Sequence, residues 1–306
     1  MATPAAAEGW QFSECDADLL QHFLQGTSRT FALAIPLLEP GRRFQVGLTY
    51  LLFRVADSIE DAASVPTDRK LQLLEDFERA LAVDKCQPPS LCCGGLWPAG
   101  TAEEQLMQAT PKLLQLFHEL PAPVNAAIRR SLDGTLRGMR AFLSSSAASG
   151  QQICIESIAD LRLYCYSVAG IVGELLTDLF VLHHPCPPEA ARSLRDLAVP
   201  FGEFLQLINI LKDSAGDLTD GRIFIPSGAT RQAVTEIALG SHRDAAGYLQ
   251  LLDIWNFPTD VLAFCRFIFL LAEGSLECLQ QTGPGSKLTR SAVQAILQQV
   301  QGCSAS

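Results

Sequence analysis

The sequence predicts an all-α fold, a helical bundle with no substantial sheet. Three observations carry this expectation. Apolar residues recur at intervals of three and four along nearly the whole chain, clean alternation is almost absent, and apolar residues make up 48% of 306 positions against 18% charged. That composition belongs to folded globular chains. It suits a large core and a lined apolar cavity equally well.

Taken in order, helices are expected over 15–25, 43–63, 68–84, 101–119, 122–143, 151–181, 187–218, 230–252, 257–281 and 287–300. Pro66-Thr67-Asp68 marks one start and Ser286-Lys287 another, while Pro40-Gly41, Pro185, Pro187 and Pro188 are breaks. Residues 85–100 hold three Pro, three Gly and three Cys and read as a loop, because no change of composition flanks them. The expectation is one domain over 1–306, with 1–12 and 301–306 as flexible ends. Only Arg222 to Ile225 looks extended, too short to establish a sheet. Gly170 and Gly173 lie inside a helical pattern and are read as packing or clearance glycines, since no phosphate-binding loop is present.

Net charge is −10, from 23 Lys and Arg against 33 Asp and Glu, and no basic stripe is present, so no nucleic-acid partner is expected. Ten cysteines with no export signal ahead of them make a disulfide framework a poor expectation, and Cys86, Cys92 and Cys93 lack a second ligand pair at zinc spacing. The five histidines are scattered and are taken as structural or surface residues. No transmembrane helix is expected: Val261–Ala272 is short and holds Arg266, and Tyr164–Leu182 carries Glu174 and Asp178. The expected location is cytoplasmic, with peripheral membrane contact at most.

Two acidic helices stand out. In the first, Tyr50, Arg54, Asp57 and Asp61 follow one another at intervals of four and three, placing them on one helical face, and Glu60 at three from Asp57 can join them. Carboxylates stacked this way repel one another unless a cation compensates. Magnesium held by carboxylates and substrate phosphates does so. Taken alone, this segment is read more simply as a solvated helix end with an Arg54–Asp57 ion pair. The second helix repeats the spacing: Gln206, Asn209, Asp213 and Asp217 step along one stripe, with Lys212 in another sector and Arg222 just beyond. Two such helices facing one another would bind magnesium on opposite walls of a pocket, with Arg54, Lys212 and Arg222 assisting on diphosphate.

The residues that follow one another as Ser28-Arg29-Thr30-Phe31-Ala32, Tyr50 to Asp61, Tyr164-Cys165-Tyr166-Ser167-Val168-Ala169-Gly170, and Gln206 to Pro226 give the chain its resemblance to the squalene and phytoene synthases. The resemblance implies an all-α isoprenoid synthase fold around a central cavity. It also implies prenyl diphosphate substrates joined head to head through a cyclopropyl diphosphate. Asp57, Asp61, Asp213 and Asp217 match the family's metal-binding positions, and Arg29, Tyr50, Arg54, Lys212 and Arg222 its diphosphate pocket. Tyr164 matches a tyrosine assisting the first half-reaction, and Gln206 and Asn209 match polar cavity residues. The wording of Ser28–Ala32 and Ile59–Asp61 is nearer the squalene branch, which implies Mg2+ and NADPH. Lys287 and Arg290 match a basic segment near the NADPH phosphates there, and also suit a plain helix surface.

One position departs from that likeness. Residue 216 is Gly where the animal and fungal squalene enzymes carry Glu between the two aspartates, and a mid-helix glycine costs roughly 0.5–1 kcal/mol relative to Ala. The chain is also expected to work without the C-terminal membrane anchor of the eukaryotic squalene enzymes. Rival outcomes are dehydrosqualene or phytoene formation, release of the cyclopropyl intermediate, or a non-catalytic descendant, which would have no need of all four aspartates.

Overall fold

The computed structural model describes residues 11–62, 64–83, 95–147 and 153–303. The Cys86, Cys92 and Cys93 cluster, most of the 85–100 stretch, residues 1–10 and residues 304–306 lie outside them. Backbone packing groups the chain into two compact units, residues 1–144 and 145–306.

The first unit contains α1 (Glu14–Thr27), α2 (Phe31–Ala34) with a following 3-10 turn (Ile35–Leu37), α3 (Pro40–Glu60), α4 (Thr67–Ala82), α5 (Ala102–His118) and nearly all of α6 (Ala122–Ser146). Helix α1 begins where Ser13 accepts from the Asp16 backbone N–H, and Asp16 is tied to Lys112 of α5 at 2.8 Å. Helix α2 escaped the sequence reading because four residues cannot display a 3.6-residue period; its start is set by Ser28 Oγ, which accepts from the Phe31 N–H at 2.9 Å.

Helix α3 organises this unit. Pro40 opens it, and Leu48, Leu51, Leu52, Val55 and Ile59 are fully buried against α1, α4 and α5. Its C-terminal carbonyls, which have no intrahelical donors, are met from elsewhere: Lys70 Nζ donates to Glu60 O at 2.6 Å and Trp97 Nε1 to Ser58 O at 3.2 Å. Lys70 is 2% exposed, so a buried cation sits at the negative end of the helix that carries Asp57.

The second unit contains β1 (Ile153–Cys154), α7 (Ile158–Cys165), a π-helical turn (Tyr166–Gly170), α8 (Ile171–His183), α9 (Pro188–Thr219), β2 (Arg222–Ile223), α10 (Arg231–Ile254), α11 (Thr259–Thr282) and α12 (Arg290–Cys303). The expected helix over 151–181 therefore starts later. Ile153 and Cys154 pair in parallel with Arg222 and Ile223, and Ser157 then caps α7 by accepting from the Asp160 N–H. That two-residue ladder is the only sheet among the described residues.

Joined through the π turn, α7 and α8 make a 26-residue run, Ile158–His183, long and apolar enough by composition to cross a membrane. The sequence expectation sets this segment aside for its charges, and Glu174 and Asp178 both lie within the run. Half of its most apolar stretch is buried in the fold, and Asp178 on it pairs with Arg195 at 2.7 Å.

Helix α9 is the axis of the second unit, packed by α7, α8, α10 and α11. Its crossing with the α7–α8 run is too close for side chains. A Cβ at Gly173 would overlap the Ala198 carbonyl, and one at Gly202 the Ala169 carbonyl. Gly173 is thus the packing glycine the sequence suggested, and Gly202 is its counterpart on α9.

Candidate active site

Because α3 is buried along most of its length, its last three turns fix where Tyr50, Arg54 and Asp57 stand. Arg54 lies 4.0 Å from Asp57 and 3.7 Å from Glu103, a carboxylate in the first turn of α5. Arg54 Nε is buried with no hydrogen-bond partner, so this guanidinium has donor capacity left for an anion. Tyr50 donates to Thr27 O at 3.4 Å and packs against Phe31 at 4.9 Å between ring centroids. Its hydroxyl is held above its usual pKa mainly by burial.

Asp57 is a strongly perturbed carboxylate. Its pKa is raised from 3.8 to about 7, first by desolvation, with Arg54 pulling it down and Asp61 pushing it up. Yet 41% of its side chain remains open to water. The two facts together describe a recessed carboxylate, ringed by protein but reachable from solvent. Asp61, one turn on, is exposed. Glu60 does not share that face: it is 5% exposed, so the first acidic group is two carboxylates, not three.

On α9 the expected stripe is present. Asn209 and Asp213 are exposed and Gln206 and Asp217 half-buried, while Leu207, Ile208, Ile210 and Leu211 between them are buried. The sequence reading of Lys212 needs correction. Its Nζ lies 3.4 Å from Asp213 and 3.0 Å from Asn209 Oδ1, because a flexible four-carbon stem can swing back along the helix from another sector. Arg222 at the start of β2 pairs with Asp217 at 3.0 Å and Asp220 at 3.2 Å. The β1–β2 ladder and the Tyr164–Phe224 contact, 5.0 Å between ring centroids, hold this strand in place. Tyr164 itself is 5% exposed.

Gly216 leaves α9 helical to Thr219, and a Cβ there would meet nothing within 4 Å, so the missing side chain is no steric demand. Arg29, Lys287 and Arg290 are exposed and, among the described residues, make no ion pair. The two acidic pairs fall in different units, Asp57 and Asp61 in the first, Asp213 and Asp217 in the second.

Among the described residues no group of three or more Asp, Glu, His or Cys forms a ready-made metal cage. The donor set is instead two carboxylates at a time beside cations. Magnesium is held in this way when substrate phosphates and waters supply its remaining ligands. A carboxylate as costly to ionise as Asp57 fits a site meant to be neutralised by a divalent ion. The exposed cations Lys287 and Arg290 fit the phosphates of a dinucleotide in the same sense.

Glu103 and Lys70 were not legible as parts of this site. Glu103 lies far from Arg54 in sequence and carries only the signal of a helix first turn. Lys70 reads as an ordinary surface lysine of an amphipathic helix.

An all-helical fold carrying two Asp-x-x-x-Asp helices beside arginines defines the class, and comparison with known proteins places the chain within it. Residues 24–256 match the squalene/phytoene synthase family model, and the chain belongs to that family. It is 33% identical over 205 residues to squalene synthase of Eremothecium gossypii, covering 66% of this chain and 44% of that protein. To Botryococcus squalene synthase of Botryococcus braunii it is 29% identical over 247 residues, covering 79% and 49%. The chain thus spans less than half the length of the curated relatives it matches. Among solved structures, TcSQS with the ligand E5700 superposes with a TM-score of 0.77 at 24% identity, covering 92% of this chain and 85% of that one. A dehydrosqualene synthase gives 0.61 at 20%, covering 95% and 96%. These likenesses confirm the all-α isoprenoid synthase fold.

Proposed function

We propose that the chain condenses two farnesyl diphosphates head to head, through presqualene diphosphate, to squalene, using magnesium and NADPH. The observation that carries the reading is Asp57, a solvent-reachable carboxylate raised to about 7 beside an arginine with spare donor capacity, in a chain of this family. Magnesium held by Asp57 and Asp61, and by Asp213 and Asp217, would neutralise diphosphate and make it a better leaving group.

The chain's own groups do the rest. Arg54 and Arg29 in the first unit, and Lys212 and Arg222 in the second, offer donors to diphosphate oxygens. Arg222 must first share its grip on Asp217, so the second pair is held in reserve by an internal cation until a ligand arrives. Tyr164, buried against Phe224, assists the first condensation, and Gln206 and Asn209 present polar groups along the same α9 stripe. Lys287 and Arg290, both exposed cations, would hold the phosphates of NADPH, which would supply the hydride for the reductive step.

Incubation with farnesyl diphosphate and magnesium, with products resolved by mass, tests this. Presqualene diphosphate or its solvolysis products are expected without NADPH and squalene with it. A deprotonated C30 polyene unchanged by NADPH would instead assign the non-reductive, dehydrosqualene type of outcome.

A further inference from the structure

A buried carboxylate outside both acidic pairs ties three helices of the second unit together. Glu203 on α9 is 6% exposed and one turn before Gln206. Arg162 on α7 grips it with two donors, Nε to Oε1 at 2.9 Å and Nη2 to Oε2 at 3.2 Å. Ser241 on α10 donates its hydroxyl to Oε2 at 2.5 Å. Both carboxylate oxygens are therefore satisfied, Oε1 from α7 and Oε2 from α7 and α10.

The position of this clamp is informative. Arg162 lies two residues before Tyr164, and α7 is only eight residues long, ending in the π turn Tyr166–Gly170. A π turn replaces i→i+4 bonds by wider i→i+5 ones, and such turns recur inside helices at functional sites. Gly202 of α9 sits against the Ala169 carbonyl in the π turn, and Gly173 of α8 against the Ala198 carbonyl of α9, so the turn and α8 are both set on α9 by backbone contact. Before the turn there is no such lock, and Tyr164 is 5% exposed with its ring on Phe224. Arg162 supplies what the backbone does not, a bidentate hold with a fixed plane.

We propose that Glu203 is a positioning residue for the condensation: through Arg162 it sets the rotation of α7 that brings Tyr164 to its working place. This rests on the functional reading above. It adds that the first condensation depends on a carboxylate that touches neither metal nor diphosphate, and that Ser241 keeps that carboxylate in its acceptor geometry.

The test is a double-mutant cycle on presqualene diphosphate formation, using the full chain with magnesium and farnesyl diphosphate. Glu203→Gln preserves volume and leaves Arg162, whose side chain is 58% exposed, able to turn to water. Its kcat is expected to fall about tenfold to a hundredfold, the range that a small misplacement produces, with KM nearly unchanged. In a Tyr164→Phe background the same substitution should cost less than about threefold, because the group it positions is already gone. Ser241→Ala, milder and less demanding on folding, should give a smaller kcat loss with the same non-additivity. An equal loss from Glu203→Gln in both backgrounds, or a loss confined to KM, overturns the inference while leaving the functional reading intact. A wild-type chain that consumes no farnesyl diphosphate overturns both.

Discussion

Asp57→Asn separates a metal site from an ordinary salt bridge by its effect on stability without metal. Burial and Asp61 raise the Asp57 carboxyl from 3.8 to about 7. At about 1.4 kcal/mol per pKa unit, a wholly desolvated group shifted this far would destabilise the folded state by ~4 kcal/mol when ionised. With 41% of the side chain open to water, screening reduces this to about 1–2 kcal/mol. The attraction of Arg54 is already contained in that raised value, so its loss in the variant subtracts nothing further. Because the folded pKa lies above the unfolded one, the penalty is absent below pH 3.8, grows through the interval and is complete above about 7. In chelator-containing buffer, urea unfolding should therefore find Asp57→Asn more stable than wild type by roughly 1–2 kcal/mol at pH 8, with the curves meeting near pH 4. Magnesium with a non-hydrolysable prenyl diphosphate should stabilise wild type and not the variant. A variant less stable than wild type at pH 8 would mean that Asp57 is a plain partner of Arg54, and would refute the reasoning.

Other substitutions test separate parts of the account. Gly216→Ala, with open space at its Cβ, should stabilise the protein by about 0.5–1 kcal/mol in thermal or urea unfolding, without loss of activity. Gly173→Ala drives a Cβ into the Ala198 carbonyl and should cost at least about 1–3 kcal/mol by the same measurement. Lys70→Met removes the donor to Glu60 O, 2.6 Å away in the interior, and should destabilise by about 1–3 kcal/mol, with activity falling because the Asp57 helix end loosens. Changing Lys287 and Arg290 together to Ala should raise the KM for NADPH about tenfold or more, leaving NADPH-free condensation unchanged; an unchanged KM would return both residues to plain surface.

The acidic faces were legible because four-residue spacing places side chains on one helical face whatever surrounds the helix. Most helix limits agree to within a few residues, since their caps (Ser13, Thr101, Thr230) and prolines act locally. What sequence could not show is what lies across from those faces. Glu103 meets Arg54 only through the packing of α5 on α3, and Lys212 reaches Asp213 by rotamer choice that periodicity does not encode. The β1–β2 ladder pairs residues far apart in the chain, so Ile153 read as the start of a helix. Gly173 could be read as a packing residue, but its partner Gly202 emerged only with the crossing itself.

Release of diphosphate from farnesyl diphosphate, followed against magnesium concentration for wild type, Asp57→Asn and Asp213→Asn, tests the central claim most directly. Wild-type release should vanish with chelation and return with magnesium. Each single variant should lose at least about a hundredfold in kcat, as removal of a preorganised charge-stabilising group does. Magnesium-independent release, or variants that retain wild-type rates, would contradict it.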